Sequence, residues 1–233
     1  MALARLLLRS TLSPLPVRIV SVNVGLPQDV AWKGQQVRTS IFKQPAAGPV
    51  AVLAEHLAGD GQADLRVHGG PDKAVYAYPL EHYEFWQRHV PADLLVPGAF
   101  GENLTTTGLL ETDVRVGACY RMGTAVLMAV QPRQPCFKLG IRLRDAGLVR
   151  RFEEARRSGI YFRVVQPGVV QAGDAIALAE PGAPVVTIQD MVDSQRLADK
   201  DLDKIREILR LPLLSSSWRA RFEAMLADGE RPA

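Results

Sequence analysis

One cysteine stands in a context that would fix its position and favour its reactive form. Cys136 follows a predicted strand, in the segment QPRQPCFKL, where Pro132 and Pro135 remove two backbone donors and exclude a helix or a central strand. The segment is therefore predicted to be a rigid loop just past a strand end, a common place for functional side chains. The neighbouring cations Arg133 and Lys138 favour the thiolate, which attacks electrophiles and binds metals. The residues alone also allow Cys136 to be a small buried side chain.

A second polar segment, HGGPDK, runs from His68 to Lys73. Its glycines, Gly69 and Gly70, permit positive φ angles and a close approach of the backbone to a ligand. A histidine, a lysine and backbone NH groups together suit a phosphate or another anion. A simple turn between two strands explains the same residues, so both interpretations stay open at this point.

A third segment, GAFGENL, places Asn103 after a glycine bend, where its side chain either fixes the bend or faces a ligand. Seven arginines follow between positions 142 and 163, and most of them are predicted on a solvated helix face. Arg142 and Arg144, the two nearest Cys136, would add positive field for an anionic ligand. The second cysteine, Cys119, is predicted to be part of the core because its neighbours are apolar.

Composition limits the classes of protein to consider. The chain has 233 residues, a formal charge of +3 and two cysteines. Such a charge does not indicate strong binding to nucleic acid, and two cysteines form neither a disulfide framework nor a zinc-finger spacing. A reducing cytoplasm is the expected location. The sequence has no apolar run of about 18 residues or more, so no membrane span is predicted. Residues 1–16, with Arg5 and Arg9 and no acid, fit an organellar presequence or a disordered extension.

The elements that must position these segments are short. Strand-like stretches bounded by glycine alternate with a few helices up to about residue 180, which predicts a β-rich α+β domain over residues 17–180. Residues 181–233 are then predicted to form three short amphipathic helices, with Thr187 and Asp190 as a capping pair at the first. Three such helices are marginal alone, so we expect them to pack together or on the preceding domain.

The three segments, in the order HGGPDKAVYAYP, GAFGENL and QPRQPCFKL, resemble the motifs of MOSC-domain proteins. Within that family the chain is similar to the YiiM type, which is associated with resistance to 6-N-hydroxylaminopurine. The resemblance extends from about Val17 to Glu180, and the tail resembles the three-helix (3-alpha) domain of YiiM-type proteins.

This resemblance implies a MOSC β-barrel that binds the molybdenum cofactor, molybdopterin-bound molybdenum. Cys136 matches the family's loop cysteine and is therefore expected to be both the metal ligand and the catalytic residue. The other motif positions that line the family's site correspond to His68, Lys73 and Asn103. Arg133 and Lys138 lie beside the cysteine, and we assign them to the anionic groups of the cofactor.

The activity that the resemblance implies is the reductive dehydroxylation of N-hydroxylated bases and related compounds. A separate reductase must supply the electrons, since the sequence has neither a GxGxxG nucleotide fingerprint nor a set of iron–sulfur cysteines. We expect the three-helix tail to serve assembly, for example as a homodimer, or partner docking.

Three other functions compete with this one. The first is a non-catalytic carrier of the cofactor or of activated sulfur, with Cys136 as the acceptor thiol. The second is a cysteine nucleophile with His68 as its base, although no residue is identified that would orient the base. The third, RNA binding on a barrel, lacks the interspersed aromatic residues that stack on bases, so neither a nucleic acid polymer nor a membrane is an expected partner.

Overall fold

The computed structural model describes residues 17–65, 69–181, 186–195 and 201–229. His68 and the N-terminal segment 1–16 lie outside the described residues, so the predictions made for them stay predictions. Across the described ranges, no helix is long and apolar enough to cross a membrane.

Twelve strands lie in the described chain before residue 181. They are β1 (Arg18–Val24), β2 (Gln28–Trp32), β3 (Gln35–Thr39), β4 (Gln44–Pro45), β5 (Val50–Val52), β6 (Val75–Pro79), β7 (Leu104–Thr107), β8 (Cys119–Met122), β9 (Ala125–Pro132), β10 (Ile160–Gln166), β11 (Gly168–Val170) and β12 (Ile176–Glu180). The helices are α1 (Glu81–Trp86), α2 (Phe137–Arg142), α3 (Leu148–Ala155), α4 (Ile188–Asp193), α5 (Leu202–Leu209) and α6 (Ser216–Gly229).

Eight strands form one mixed sheet in the order β12-β8-β9-β10-β6-β7-β1-β4, in which only β6 and β7 run parallel. The start of β1 also meets the chain around the start of β12. Arg18 forms an isolated bridge with Ala175, and backbone hydrogen bonds such as Ile176 N to Val17 O (2.9 Å) accompany it. The β-rich α+β class predicted from the sequence is confirmed. The predicted closed barrel is not, since that isolated bridge is not a ladder of paired strands.

Strand β9 leads directly into the loop that carries Cys136. Its run AVLMAVQP is apolar almost throughout because it lies between β8 and β10 and is buried on both faces. Pro132 is the last residue of the strand, a position that tolerates a missing backbone donor. Helix α2 begins at Phe137, directly after the loop. The sequence did not predict this helix, because six residues are too few to show a helical period.

The three C-terminal helices α4, α5 and α6 pack against the sheet. The segment before α4 pairs with the chain before β8, where Val116 N donates to Val186 O (3.0 Å) and Ile188 N donates to Val114 O (2.9 Å). Trp218 of α6 is buried in the same apolar cluster as the inner face of the sheet. The capping box of Thr187 and Asp190 at α4 is confirmed. The position of the domain boundary near residue 180 stays a prediction.

A second apolar cluster, rich in aromatic residues, lies under the cysteine loop. Tyr78, Trp86, Phe100 and Phe152 are all buried, and the Trp86 indole donates to the Tyr78 hydroxyl (2.7 Å). These rings contact one another at tilted and stacked angles, which adds to the energy of burying them. The cluster gives the loop between β9 and α2 a rigid base.

Candidate functional site

A pocket with about 590 Å³ of empty space, part of it open to solvent, brings the predicted segments together. Five of the six predicted site residues line it: Lys73, Asn103, Arg133, Cys136 and Lys138. The sixth, His68, lies outside the described residues. Segments more than 60 residues apart in the chain therefore converge on one cavity.

The backbone around Cys136 presents its thiol at the pocket wall. Cys136 is extended, with φ of −128° and ψ of 168°, and its carbonyl accepts from Leu139 N (2.9 Å) in the first turn of α2. The side chain is partly exposed, whereas Cys119 is buried. Because Pro132 ends the strand and Pro135 precedes the cysteine, few backbone conformations are open to this loop.

Arg133 is a buried cation in the same loop. Its Nη1 donates to the carbonyl of Phe100, and its guanidinium lies 4.8 Å from the ring centroid of Tyr76. Burial lowers the pKa of Arg133, but Tyr76, Tyr161 and Cys136 outweigh that effect and hold its pKa above the ordinary value. Arg133 therefore stays charged next to the thiol.

The floor of the pocket is a buried ion pair that the sequence did not predict. Asp60 accepts hydrogen bonds from Gly25 N (2.8 Å), from Asn103 Nδ2 (2.8 Å) and from Lys43 Nζ. Burial lowers the pKa of Lys43, and Asp60 partly reverses the shift. No local pattern marks Lys43 or Asp60, since each lies outside the three polar segments and they meet only through the fold.

The side chain of Asn103 is engaged by the protein on every side. Besides its bond to Asp60, Nδ2 donates to Asn23 O (3.3 Å), and Oδ1 accepts from Tyr76 N (3.1 Å). Its neighbour Glu102 accepts from Gly98 N (2.8 Å) and other donors within the same bend. These contacts favour the first alternative for Asn103, in which it fixes the bend, and its role as a cofactor ligand stays a prediction.

The glycine segment forms a tight turn that carries Lys73 to the pocket. Gly70 has φ of 89°, and a Cβ on Gly69 would lie 2.8 Å from the Cα of Leu65. Residues Pro71–Lys73 form one turn of 3₁₀ helix. Arg163 of β10 holds this turn, since its Nε donates to Asp72 Oδ1 (2.9 Å). Partial burial lowers the pKa of Lys73.

The arginine-rich stretch differs from its predicted role. A solvated helix face describes Arg150 and Arg151 on α3, but it is wrong for several others. Those others are Arg156, paired with Asp193; Arg157, bonded to His82; and Arg163, bonded to Asp72. Arg142, predicted with Arg144 to add positive field for a ligand, is buried at the end of α2, and neither is among the described residues that line the pocket. The reason is that these arginines lie on different elements, so they share no helical face.

The charged side chains around the pocket suit an anionic ligand, and the thiol among them suits a soft metal. Four cations, Lys43, Lys73, Arg133 and Lys138, line the cavity with one carboxylate, Asp60. Ser40 also lines it, and its buried Oγ has no hydrogen-bond partner among the described residues. Such a group is usually satisfied by a ligand or water. Within the described ranges, no cluster of three or more His, Cys, Asp or Glu could hold a metal by itself.

A cysteine nucleophile would need a base close to the thiol. Among the described lining residues there is no histidine, and the residue predicted for that role, His68, is outside the described part of the chain. The described geometry is that of a thiol in a pocket that four cations line, which suits the binding of an anionic ligand.

Comparisons with known proteins identify the family of the chain. The MOSC domain family matches residues 64–177. Protein YflK of Bacillus subtilis is 41% identical over 204 residues, which are 88% of this chain and 92% of YflK. The crystal structure of YiiM from Geobacillus stearothermophilus superposes with a TM-score of 0.74 at 36% identity, covering 91% of this chain and 100% of that one. A protein of Gibberella moniliformis named Reductase is 33% identical over 204 residues, and this chain spans 36% of its length.

Proposed function

The chain belongs to the MOSC-domain family and is of the YiiM type, and we propose that its pocket binds a molybdenum cofactor through the Cys136 thiolate. The observation that carries the proposal is the single cavity in which a partly exposed thiol meets four cationic side chains. MOSC domains are associated with molybdenum cofactor in general, and the residues of this pocket agree with that role.

The donor set fits the chemical groups of such a cofactor. A thiolate is a soft ligand that suits molybdenum in a sulfur-rich environment. The cofactor also carries a phosphate, for which Lys43, Lys73, Arg133 and Lys138 provide charged donors. The unsatisfied Oγ of Ser40 offers a further polar contact.

The proposed reaction is the reduction of an N-hydroxylated base or related compound to its amine. An N-hydroxy compound, two electrons and two protons give the amine and water. When bound, the cofactor supplies the two-electron redox centre, and the protein supplies its binding site and the access for the substrate. Cys136 and the cations would hold the cofactor, and the solvent-open side of the pocket would admit the substrate and protons.

The electrons are proposed to come from a separate reductase. The fungal relative is named Reductase and extends well beyond the region that matches this chain, which leaves room in it for further domains. We place the reaction in the reducing cytoplasm, where the thiol of Cys136 stays available to the metal.

A carrier function is the second candidate, and the partial exposure of Cys136 favours it specifically. A thiol that solvent can reach could accept sulfur as a persulfide or hand a cofactor to another protein. Supplying cofactor-loaded protein with an artificial reductant and 6-N-hydroxylaminopurine distinguishes the two. Loss of the N-hydroxy compound in the wild type, and not in Cys136→Ala, supports the reductase. Loaded protein without turnover would instead support the carrier.

A further inference from the structure

We propose that the C-terminal helices position the Cys136 loop, and that the hydrogen bond between Gln131 and Ser215 is the joint through which they do so. This inference rests on the proposed function for its purpose, since it concerns the placement of the proposed metal ligand. It goes further because it gives the three-helix tail a role at the site instead of in assembly.

The hydrogen bond between Gln131 and Ser215 connects the last residues of β9 to the start of α6. Gln131 is 2% exposed, and its Oε1 accepts from Ser215 Oγ at 2.8 Å. Gln131 stands five positions before Cys136 and directly before Pro132, where the strand ends. A buried amide that loses its partner costs more than the bond itself contributes, because the orphaned group must find water or move. The strand end is therefore held in place by a residue of the tail.

The first residues of the segment from Gln131 to Cys136 are also held by the sheet. Gln131 and Pro132 pair with β10, and Arg133 is buried on the aromatic cluster. The pocket side of this loop is the candidate site, and its opposite side borders a second cavity, with about 1,010 Å³ of empty space that is partly open to solvent. That cavity is lined by Arg133, Gln134 and Pro135 of the loop, and by Val192, Gln195 and Arg221 from the tail. Gln134 is exposed and Pro135 and Cys136 are half-buried, so this outer part of the loop depends on hydrogen bonds for its position.

Two anchors remain for this loop, one on each side. On the sheet side, Arg133 donates to Phe100 O. On the tail side, among the residues that the structure describes, the Ser215 bond is accompanied by one long contact, between Gln134 Nε2 and Gln195 Oε1 at 3.5 Å. Removing the Ser215 hydroxyl should therefore release the tail side of the loop.

The tail itself is a firm support for Ser215. Trp218 and Phe222 of α6 are buried in the main core. Arg219 Nη1 and Nη2 donate to the carbonyls of Leu209 and Leu211 at 2.9 Å each, which fixes α6 against the end of α5. Since Ser215 directly precedes this helix, its hydroxyl has a fixed position from which to hold Gln131.

The test uses the reactivity of the loop thiol in the full chain without cofactor. In a Cys119→Ala background Cys136 is the only thiol, and its alkylation by iodoacetamide is followed at one pH. We expect Ser215→Ala to raise the alkylation rate roughly fivefold, the effect of about 1 kcal/mol on an opening equilibrium. Gln131→Met should do the same, and hydrogen exchange of the loop amides should rise in parallel.

Two further variants separate positioning from a general loss of stability. Ser215→Thr keeps the hydroxyl and should restore the parent rate. Ser216→Ala alters an exposed neighbour and should leave the rate unchanged. An unchanged rate and unchanged amide exchange in both Ser215→Ala and Gln131→Met would overturn the proposal. An alkylation rate that rises equally in Ser216→Ala would also overturn the proposal. None of these measurements uses the metal, so the proposal can fail while the proposed function stands.

Discussion

At the scale of residues, the site is a thiol placed among charges that the fold holds in position. Arg133 cannot leave the cysteine, because it is buried on the aromatic cluster and bonded to Phe100. Lys43 is fixed by Asp60, which in turn holds Asn103. A preorganised arrangement of this kind binds anions without reorganising, which is the property that the proposed cofactor requires.

The ion pair of Lys43 and Asp60 should matter for stability as well as for binding. Asp60→Asn leaves the buried Lys43 ammonium without its charge partner, so we expect the free energy of unfolding to fall by about 3 kcal/mol. Urea denaturation measures this loss. Asp29→Asn is the matched control, since its pair with Arg38 is exposed and worth at most about 1 kcal/mol. An equal loss of unfolding free energy in the two variants would mean that the pair of Lys43 and Asp60 is hydrated.

Lys138 should contribute to anion binding without a structural role, because it is partly exposed and lines the pocket. We expect Lys138→Met to weaken the binding of inorganic pyrophosphate severalfold at low salt, with a smaller difference as salt screens the charges. Isothermal titration calorimetry measures the affinity. Lys33→Met removes an exposed lysine that does not line the pocket, and it should bind as the wild type does. A Lys138→Met protein with unaltered affinity would place the anion elsewhere.

At the scale of elements, the turn before β6 depends on glycine for two different reasons. Gly69 lacks space for a side chain, whereas Gly70 has open space around it but a positive φ. The conformation of Gly70, with φ of 89° and ψ of 168°, is one that is nearly restricted to glycine. The turn therefore holds Lys73 at the pocket only with this pair of residues.

Gly70→Ala isolates the conformational effect. We expect it to lower the free energy of unfolding by about 1–3 kcal/mol and to weaken pyrophosphate binding, since the turn that carries Lys73 must relax. Gly48 is a matched control, because a Cβ added there would also meet nothing within 4 Å, while its φ is not positive. Gly48→Ala should change stability by less than about 1 kcal/mol in either direction. Thermal denaturation that ranks the two variants equally would contradict the conformational argument.

Local elements could be predicted from the sequence, and their pairing could not. The strand at β1, the helix at α3 and the cap of Thr187 at α4 follow from spacing and capping residues. The order of the sheet joins β10 to both β6 and β9, and such non-local pairings leave no mark in a single sequence. For the same reason Cys136 could be identified as a candidate, while Lys43 and Asp60, which meet it only in the fold, could not.

At the scale of the molecule, the C-terminal helices and the sheet share one apolar core. Ile205, Ile208, Trp218 and Phe222 belong to the same buried cluster as Ile19 of β1. Arg156 also pairs with Asp193 across the two parts (3.0 Å). Although the sequence separates a tail from a domain, the tail covers apolar surface that the sheet would otherwise expose.

A chain ended at residue 180 should therefore fail to fold independently. Removing α4, α5 and α6 exposes the apolar surface beneath Trp218 and Phe222 to water, and that burial is the main source of stability. We expect aggregation, or loss of cooperative unfolding, when the shortened chain is followed by size-exclusion chromatography and near-ultraviolet circular dichroism. A soluble fragment with a sharp unfolding transition would show that the tail is dispensable to the fold and would leave assembly as its role.

The most direct test of the central claim is the molybdenum content of the protein, measured by mass spectrometry of the metal after purification from cells that make molybdenum cofactor. The wild type and Cys119→Ala should retain molybdenum, and Cys136→Ala should lose it, because only Cys136 lines the pocket. Thermal unfolding of all three variants confirms that they are folded. Equal molybdenum in the wild type and in folded Cys136→Ala would contradict the assignment of the thiolate as the ligand.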